Sequence, residues 1–564
     1  MPPARRPHRA RPALLSALQH YDRRKAIADL IAGVTVGLVA LPLALAFAIS
    51  SGLPPQAGIY TAVVAGGLIS LLGGSRLQIG GPTGAFVVIV AGIVAEHGVE
   101  GLFVCTLMAG AMLVLLGATG MGSAVRFIPR PVVVGFTNGI AVLIASTQIR
   151  DFLGLQIERL PSDFLPRMKL VASQLPTWSP HATALAAGSL LLIAAVARLS
   201  KRIPGAILAL AAGTAAVVAF HLPVETIGTR FGGIPSGLPP LHIPVLRPEL
   251  LPALLVPAMT VAMLGAIESL MSAMVADRMT GGRHDPNVEL IAQGVANLAS
   301  PLFGGLPATG AIARTATNIR SGAQTPVAGI IHALTLAGIL LAAAPLAQYV
   351  PLPVLAAILL VVAYNMGDWG EIPELLRLTR TDILVWLVTF ALTVFADLTQ
   401  AVGVGMVCAA LLFIKRVADT TTVSVVTDDY QQDAHMNLQN HTIPPYVRIV
   451  RIHGPFLFGA TDKLRSVLHD AHALPPILIL KMRNVTALDA TGLRAIEELA
   501  EALHASGRHL LLCGARHQPA ELIARADFHR HIGDANICVT VNDALNRARE
   551  LHGAETGAHP GTPA

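Results

Sequence analysis

Two short stretches carry the residue types that can do chemistry in this chain. Gly80–Phe86 reads GGPTGAF, and Phe303–Pro326 reads FGGLPATGAIARTATNIRSGAQTP. Each has a glycine pair, then a proline, then the same tripeptide, Thr83-Gly84-Ala85 in the first and Thr309-Gly310-Ala311 in the second. Both lie among long apolar segments, where a glycine–proline cluster should break regular structure and let a helix begin only at about the threonine. A helix start leaves unpaired N–H groups and the positive end of the macrodipole, so two starts brought together present about +1 elementary charge. That chemistry holds an anion. The candidate donors are the backbone N–H groups of Thr83, Gly84, Ala85 and Phe86 and of Thr309, Gly310, Ala311 and Ile312, with the threonine hydroxyls as further donors or caps. Arg314 follows one turn later. In its apolar context it should face a cavity and add charge for a divalent anion, or else pair with a buried acid.

Glu268 is the second element of the pattern. It sits in MTVAMLGAIESLMSAM, with no other charge between Glu249 and Asp277. An ionisable group at membrane depth is costly and marks a functional site. A proton taken up there would lessen the repulsion of an incoming anion and so couple the two. A structural hydrogen bond, or a share in a cation site, are the other roles it can play. Asp397 reads as a loop-end residue, and Asn138 in GFTNGI as an interhelical hydrogen-bonding group. The chain has no GxxxxGK[ST], HExxH, zinc-spaced CxxC pair or GxSxG, and its 20 histidines are scattered. The reading is therefore of a protein that is no enzyme, takes no cofactor or metal, and is not driven by its own ATPase.

The elements that must position these groups are membrane helices. Of 564 residues, 53% are apolar and only 13% charged, and the mean hydropathy is +0.62. This composition predicts an integral membrane protein in contact with the lipid bilayer. The four cysteines are too few for a disulfide framework and read as free thiols. Residues 1–25 carry six arginines and a lysine, which read as a cytoplasmic anchor rather than a nucleic-acid-binding arm, with no cleavable signal peptide following. Apolar segments are expected near 27–49, 56–73, 82–96, 101–121, 129–150, 182–198 and 203–221. A second set is expected near 251–276, 288–302, 309–320, 325–347, 351–366, 381–397 and 398–415. Basic residues fall after the even-numbered segments, which places both termini in the cytoplasm. The two sets look like copies. Besides the shared tripeptide, Pro129-x-Pro131-Val132 matches Pro351-x-Pro353-Val354. Seven segments per copy is odd, so the copies must be inverted, and inverted-repeat transporters place their site between broken helices near the midplane. Helix packing alone is the plainer use of such breaks.

After a transport region over 26–418, residues 419–445 read as a linker. Strands are expected at Tyr446–His453, Ile477–Met482 and His509–Cys513, and a helix at Leu493–His504, giving a small α/β domain over 446–552. Residues 553–564 should be disordered. Asp489-Ala490-Thr491-Gly492 falls on a turn into a helix. Asp489 and Thr491 are candidate regulatory positions, where a phosphate would be electrostatically favoured, or simply an N-cap.

Taken with these motifs, GAIESLMSAMVADRMTG around Glu268 and the DATG-bearing tail make the chain resemble the SulP (sulfate permease) family of anion transporters over roughly residues 20–550. The likeness is nearest to the family's bacterial dicarboxylate-transporting branch. The resemblance implies a fourteen-segment, seven-plus-seven inverted-repeat fold with core and gate domains, a cytoplasmic STAS domain and a homodimer. It also implies an anion held between the third and tenth helices, which would begin at Thr83 and Thr309. Arg314 and Glu268 then match the family's site arginine and eighth-helix acid. Ala490 departs from the usual Asp-Ser-Ser-Gly, although Thr491 keeps a hydroxyl. The expected function is secondary transport of sulfate or a four-carbon dicarboxylate across the cell's inner membrane, by proton-coupled symport. Bicarbonate transport, sodium coupling, anion exchange, a channel, or a sensor acting through the STAS domain remain open at this stage.

Overall fold

A computed structural model describes residues 11–122, 129–199, 204–245, 247–377, 379–396, most of 404–425, 443–468 and 474–556. The chain divides into two compact units, Met1–Val407 and Cys408–Ala564. The first is helical. In chain order it comprises α1 (Ala13–Leu18), α2 (Arg23–Ser50), α3 (Pro55–Leu72), β1 (Gly80–Gly81), α4 (Gly84–Ala118), α5 (Arg130–Leu153), α6 (Phe164–Ser173), α7 (Pro180–Leu199) and α8 (Gly205–Phe220). There follow α9 (Ile227–Phe231), α10 (Leu251–Thr280), α11 (Pro286–Ala299), β2 (Thr309–Gly310), α12 (Ile312–Arg320), α13 (Val327–Ala343), α14 (Leu352–Met366), α15 (Glu371–Leu375) and α16 (Arg380–Phe395).

Thirteen of the expected apolar segments coincide with these helices. The fourteenth, 398–415, and Asp397 lie largely or wholly outside the described residues. Among the described residues, eight helices are long and apolar enough to cross a membrane. Two expected segments share α4, whose arms meet at Gly98, where a φ of 70° that glycine tolerates turns the chain. By contrast α12 has nine residues and rises only about 14 Å, too little to cross hydrocarbon by itself. Short helices α1, α6, α9 and α15 occupy stretches that carry no long apolar signal.

Helices α2, α3, α4 and α10 to α13 pack among themselves, while α5, α7, α8, α14 and α16 form a second group. Among the described residues, this division into two groups is the one that core and gate layers would give. Glycine sets the closest crossings. A Cβ on Gly294 of α11 would lie 2.6 Å from the Gly110 carbonyl oxygen of α4, and one on Gly135 of α5 would lie 2.6 Å from that of Trp386 in α16. Small residues at such crossings let backbones approach where lipid gives little hydrophobic drive.

The second unit is α/β. It runs β3 (Thr422–Val425), β4 (Val447–Phe456), α17 (Thr461–Leu468), β5 (Ile477–Leu488), α18 (Ala490–Ala505), β6 (His509–Cys513), α19 (His517–Arg525), α20 (His529–Ile532), β7 (Ile537–Cys538) and α21 (Val541–Thr556). One sheet of order β3-β4-β5-β6-β7 is parallel except for the antiparallel β3–β4 pair. Its faces are both covered: Leu478, Leu480 and Leu512 pack with Leu493, Ile496 and Leu499 of α18, and Ile449, Ile479 and Leu511 pack with Ala544, Leu545 and Ala548 of α21. This is why the strands read as continuous apolar runs.

Several boundaries change, β4 running on to Phe456 and α18 starting at Ala490 among them. Thr422–Val425, placed in the linker, is a strand because it hydrogen-bonds to β4. β5 continues to Leu488, since its second half pairs with the bulged end of β4. Of the tail expected to be disordered, residues 553–556 complete α21. All four cysteines are free, and burial pushes the Cys513 thiol up to about 12, so it stays protonated.

The glycine crossing is testable. Gly294→Val should destabilise the full-length protein by about 1–3 kcal/mol, because two helix backbones must part. Gly338→Ala on α13, where an added Cβ meets no atom within 4 Å, should leave the melting temperature unchanged or raised.

Candidate functional site

The two motifs meet. Gly80 pairs with Gly310 and Gly81 with Thr309 in an antiparallel ladder two residues long, which places the starts of α4 and α12 side by side. Backbone stripped of helix in an apolar interior needs partners, and these come from neighbouring side chains. The Asn297 amide donates to the Ala308 carbonyl at 2.8 Å and accepts from the Ala308 N–H at 2.9 Å. Thr61 Oγ1 accepts from the Leu306 N–H at 2.7 Å, and Ser300 Oγ donates to the Leu306 carbonyl at 2.6 Å. On the other strand, the Ile79 N–H donates to Thr315 Oγ1 at 3.0 Å, and Asn318 donates to the Leu77 carbonyl at 3.0 Å.

The helix starts differ from the sequence expectation. The first helical residue of α4 is Gly84, with Thr83 as an extended cap. α12 begins at Ile312 rather than Thr309, because Thr309 and Gly310 are used in the strand pair. The Ala311 N–H donates to the Ile79 carbonyl at 2.8 Å, and the buried Thr309 hydroxyl donates to the Gly265 carbonyl of α10 at 2.9 Å. The Phe86 N–H makes a 3.3 Å bond back to the Thr83 carbonyl. The donors with no backbone acceptor at the two starts are therefore those of Thr83, Gly84 and Ala85 on one side, and of Ile312, Ala313 and Arg314 on the other. Ile312 and Ala313 are exposed. Gly84 is covered: a Cβ there would lie 3.0 Å from Ile144 Cδ1 of α5, 3.4 Å from Met366 Sδ of α14 and 3.4 Å from Phe47 Cε1 of α2. The α4 start thus faces the gate layer.

α10 forms the third side. Thr83 Oγ1 donates to Glu268 Oε2 at 2.9 Å, and Ser272 Oγ lies 2.9 Å from Thr315 Oγ1. Glu268 is half-buried. Arg314 is 2% exposed; its Nη2 donates to the Pro82 carbonyl, while Nη1 lies buried over Gly81 without a hydrogen-bond partner. The structure therefore brings Thr83, Gly84, Ala85, Ile312, Arg314 and Glu268 to one locus. Such an arrangement of free N–H groups, two helix dipoles and a guanidinium can hold an oxyanion, with one carboxylate at its edge.

Other assignments resolve locally. Asn138 accepts a 3.1 Å bond from Trp386 Nε1, joining α5 to α16. Asp489 caps α18: Oδ1 accepts from the Gly492 N–H at 2.7 Å and Oδ2 from the Phe458 N–H at 3.1 Å. Thr491 is exposed on the first turn.

Two further acids escaped the sequence reading. Asp29 of α2, fully buried, accepts from the N–H groups of Gln324 (2.7 Å) and Thr325 (3.1 Å) and from the Thr325 hydroxyl (2.5 Å), tying down the turn after α12. Glu289 of α11, also fully buried, accepts from the Ser75 N–H at 3.0 Å and from Gln293 at 2.9 Å, tying down the approach to β1. Neither has the isolation that singled out Glu268: Asp29 follows Lys25, and Glu289 follows Asp285, at the spacing of one helical turn.

Gly81 has a φ of 146°, and a Cβ there would lie 2.7 Å from Arg314 Nη1. Gly81→Ala should therefore cost about 1–3 kcal/mol from the backbone conformation and displace the guanidinium, read as a lower melting temperature of the whole protein.

Comparison with known proteins assigns the family. The chain matches the model of the sulfate permease family over residues 27–389 and that of the STAS domain over residues 439–544. YvdB of Bacillus subtilis, a protein provisionally named as a sulfate transporter, is 43% identical over 91% of this chain and 96% of its own length. The bicarbonate transporter BicA of Picosynechococcus is 30% identical over 92% of this chain and 94% of its own. Murine Slc26a9, an anion transporter solved in the inward-facing state, shares the fold with a TM-score of 0.85 over 95% of this chain and 94% of its own, at 19% identity. The helical unit with its broken α12, followed by an α/β unit of STAS type, thus belongs to the sulfate permease family.

Proposed function

We propose that the protein is a secondary active transporter of a small oxyanion, sulfate in the first instance, moved together with protons across the cell membrane. The observation that carries this reading is the pairing of two helix starts by β1 and β2, with Glu268 hydrogen-bonded to Thr83 at the lip of one of them. The anion sits between the N–H groups of Gly84 and Ala85 and those of Ile312 and Ala313, above the charge of Arg314. Gate side chains Ile144 and Met366 close over the α4 start. Relative motion of gate and core exposes the same site to either side.

Glu268 gives the coupling. While ionised, it opposes an anion at this locus and holds the Thr83 hydroxyl. Protonation removes the charge and frees that hydroxyl to donate to the anion, so proton and anion bind better together than apart. The names of the relatives favour sulfate or bicarbonate; a four-carbon dicarboxylate presents the same terminal oxygens and enters as a competitor. Cytoplasmic termini and a homodimer complete the proposal.

Radiolabelled sulfate, bicarbonate and succinate uptake into proteoliposomes, with and without an inward proton gradient, tests it. Sulfate uptake should follow the gradient in the wild type and lose that dependence in Glu268→Gln. Uptake blind to the proton gradient and unchanged in the variant would contradict the symport, and dependence on sodium instead would reassign the coupling ion.

A further inference from the structure

His332 lies on α13, outside every motif described above, and is completely buried. Neither ring nitrogen has a hydrogen-bond partner. An imidazole always has a donor or acceptor to satisfy, and leaving one buried and unpaired costs about 1–3 kcal/mol. The second orphan is Arg314 Nη1, which is buried and has no hydrogen-bond partner.

The two orphans flank the same piece of backbone. A Cβ on Gly81 would lie 2.7 Å from Arg314 Nη1 and 3.6 Å from Ala62 Cα. A Cβ on Gly66 would lie 2.8 Å from the Gly80 carbonyl oxygen and 3.9 Å from His332 Cε1. Ala62 and Gly66 are one turn apart on α3, and Gly80 and Gly81 are neighbours on β1. The guanidinium and the ring therefore both lie against the contact of β1 with the Ala62–Gly66 turn of α3, and one water with two bonds of about 2.8 Å joins buried polar groups that lie about 5–6 Å apart. Glycine at 66 lets the Gly80 carbonyl approach α3, and glycine at 81 lets the guanidinium lie against β1.

We propose that His332 is a positioning residue for Arg314. Its ring nitrogen accepts, through one water, the hydrogen bond of Nη1, while the Pro82 carbonyl holds Nη2. With both terminal nitrogens held, the plane of the guanidinium is fixed beneath the start of α12, and its charge stays aimed at the anion. Because α13 also packs on α2 and α3, the arginine is tied to the rigid body of the core and not only to its own short helix. This inference rests on the anion site proposed above.

Sulfate uptake by the full-length protein in proteoliposomes, with KM and maximal rate measured separately, provides the test. His332→Leu should raise KM about tenfold, equivalent to ~1.4 kcal/mol, with little change in maximal rate. His332→Gln, which keeps a donor and an acceptor, should restore most of the affinity. In an Arg314→Lys background, His332→Leu should add nothing, since the two act as one unit. Equal defects in the Leu and Gln variants, additive to Arg314→Lys and accompanied by a lowered melting temperature, would reduce His332 to a packing residue. A raised KM in Arg314→Lys beside an unchanged KM in His332→Leu would overturn this inference alone. An unchanged KM in Arg314→Lys would overturn the anion site itself.

Discussion

Everything at the centre of this protein depends on a backbone ladder two residues long. Helices satisfy their own N–H and C=O groups; a chain that breaks helix inside an apolar layer must satisfy them some other way. Gly80–Gly81 and Thr309–Gly310 do so by pairing with each other, and the strands leading to them borrow Thr61, Asn297, Ser300, Thr315 and Asn318. Pairing has a consequence beyond satisfaction. It fixes two helix N-termini side by side, where otherwise each would be a separate and weaker source of positive potential. Glycine at these positions is a requirement of close approach: a Cβ on Gly80 would lie 2.3 Å from Ile69 Cδ1.

The surroundings are built to keep that ladder still. Asp29 and Glu289 are buried acids whose hydrogen bonds from backbone N–H groups lie on the turns after α12 and before β1. A buried carboxylate accepting several N–H bonds is a stiff clamp, because losing it would strand both the charge and the donors. Glu268 differs from these two. It accepts from a hydroxyl that can turn away, and it is only half-buried. The same side-chain type serves as anchor where backbone surrounds it and as a candidate switch where one rotatable donor does.

The architecture was largely legible in the sequence. Apolar length and the placement of arginines gave the helices, and the repeated tripeptide located the breaks, because hydropathy and glycine–proline chemistry are local properties. What escaped was decided by tertiary pairing. A helix start at Thr309 was reasonable from local propensity, yet the strand bond to Gly81 took that residue and moved the start to Ile312. The same kind of partner lengthened β5 and made a strand of Thr422–Val425 in the presumed linker. His332 gave no signal, since a histidine in an apolar helix means little until its neighbours are known.

The most direct measurement is the location of a sulfate analogue with its own X-ray signature. Selenate bound to the full-length protein should give an anomalous peak between the starts of α4 and α12, within hydrogen-bond reach of the Gly84 or Ala85 and Ile312 or Ala313 N–H groups, and Arg314→Ala should weaken it. A peak instead in the cavity of about 220 Å³ lined by Ile93, His97, Pro257 and Thr393, with none at the helix starts, would contradict the account.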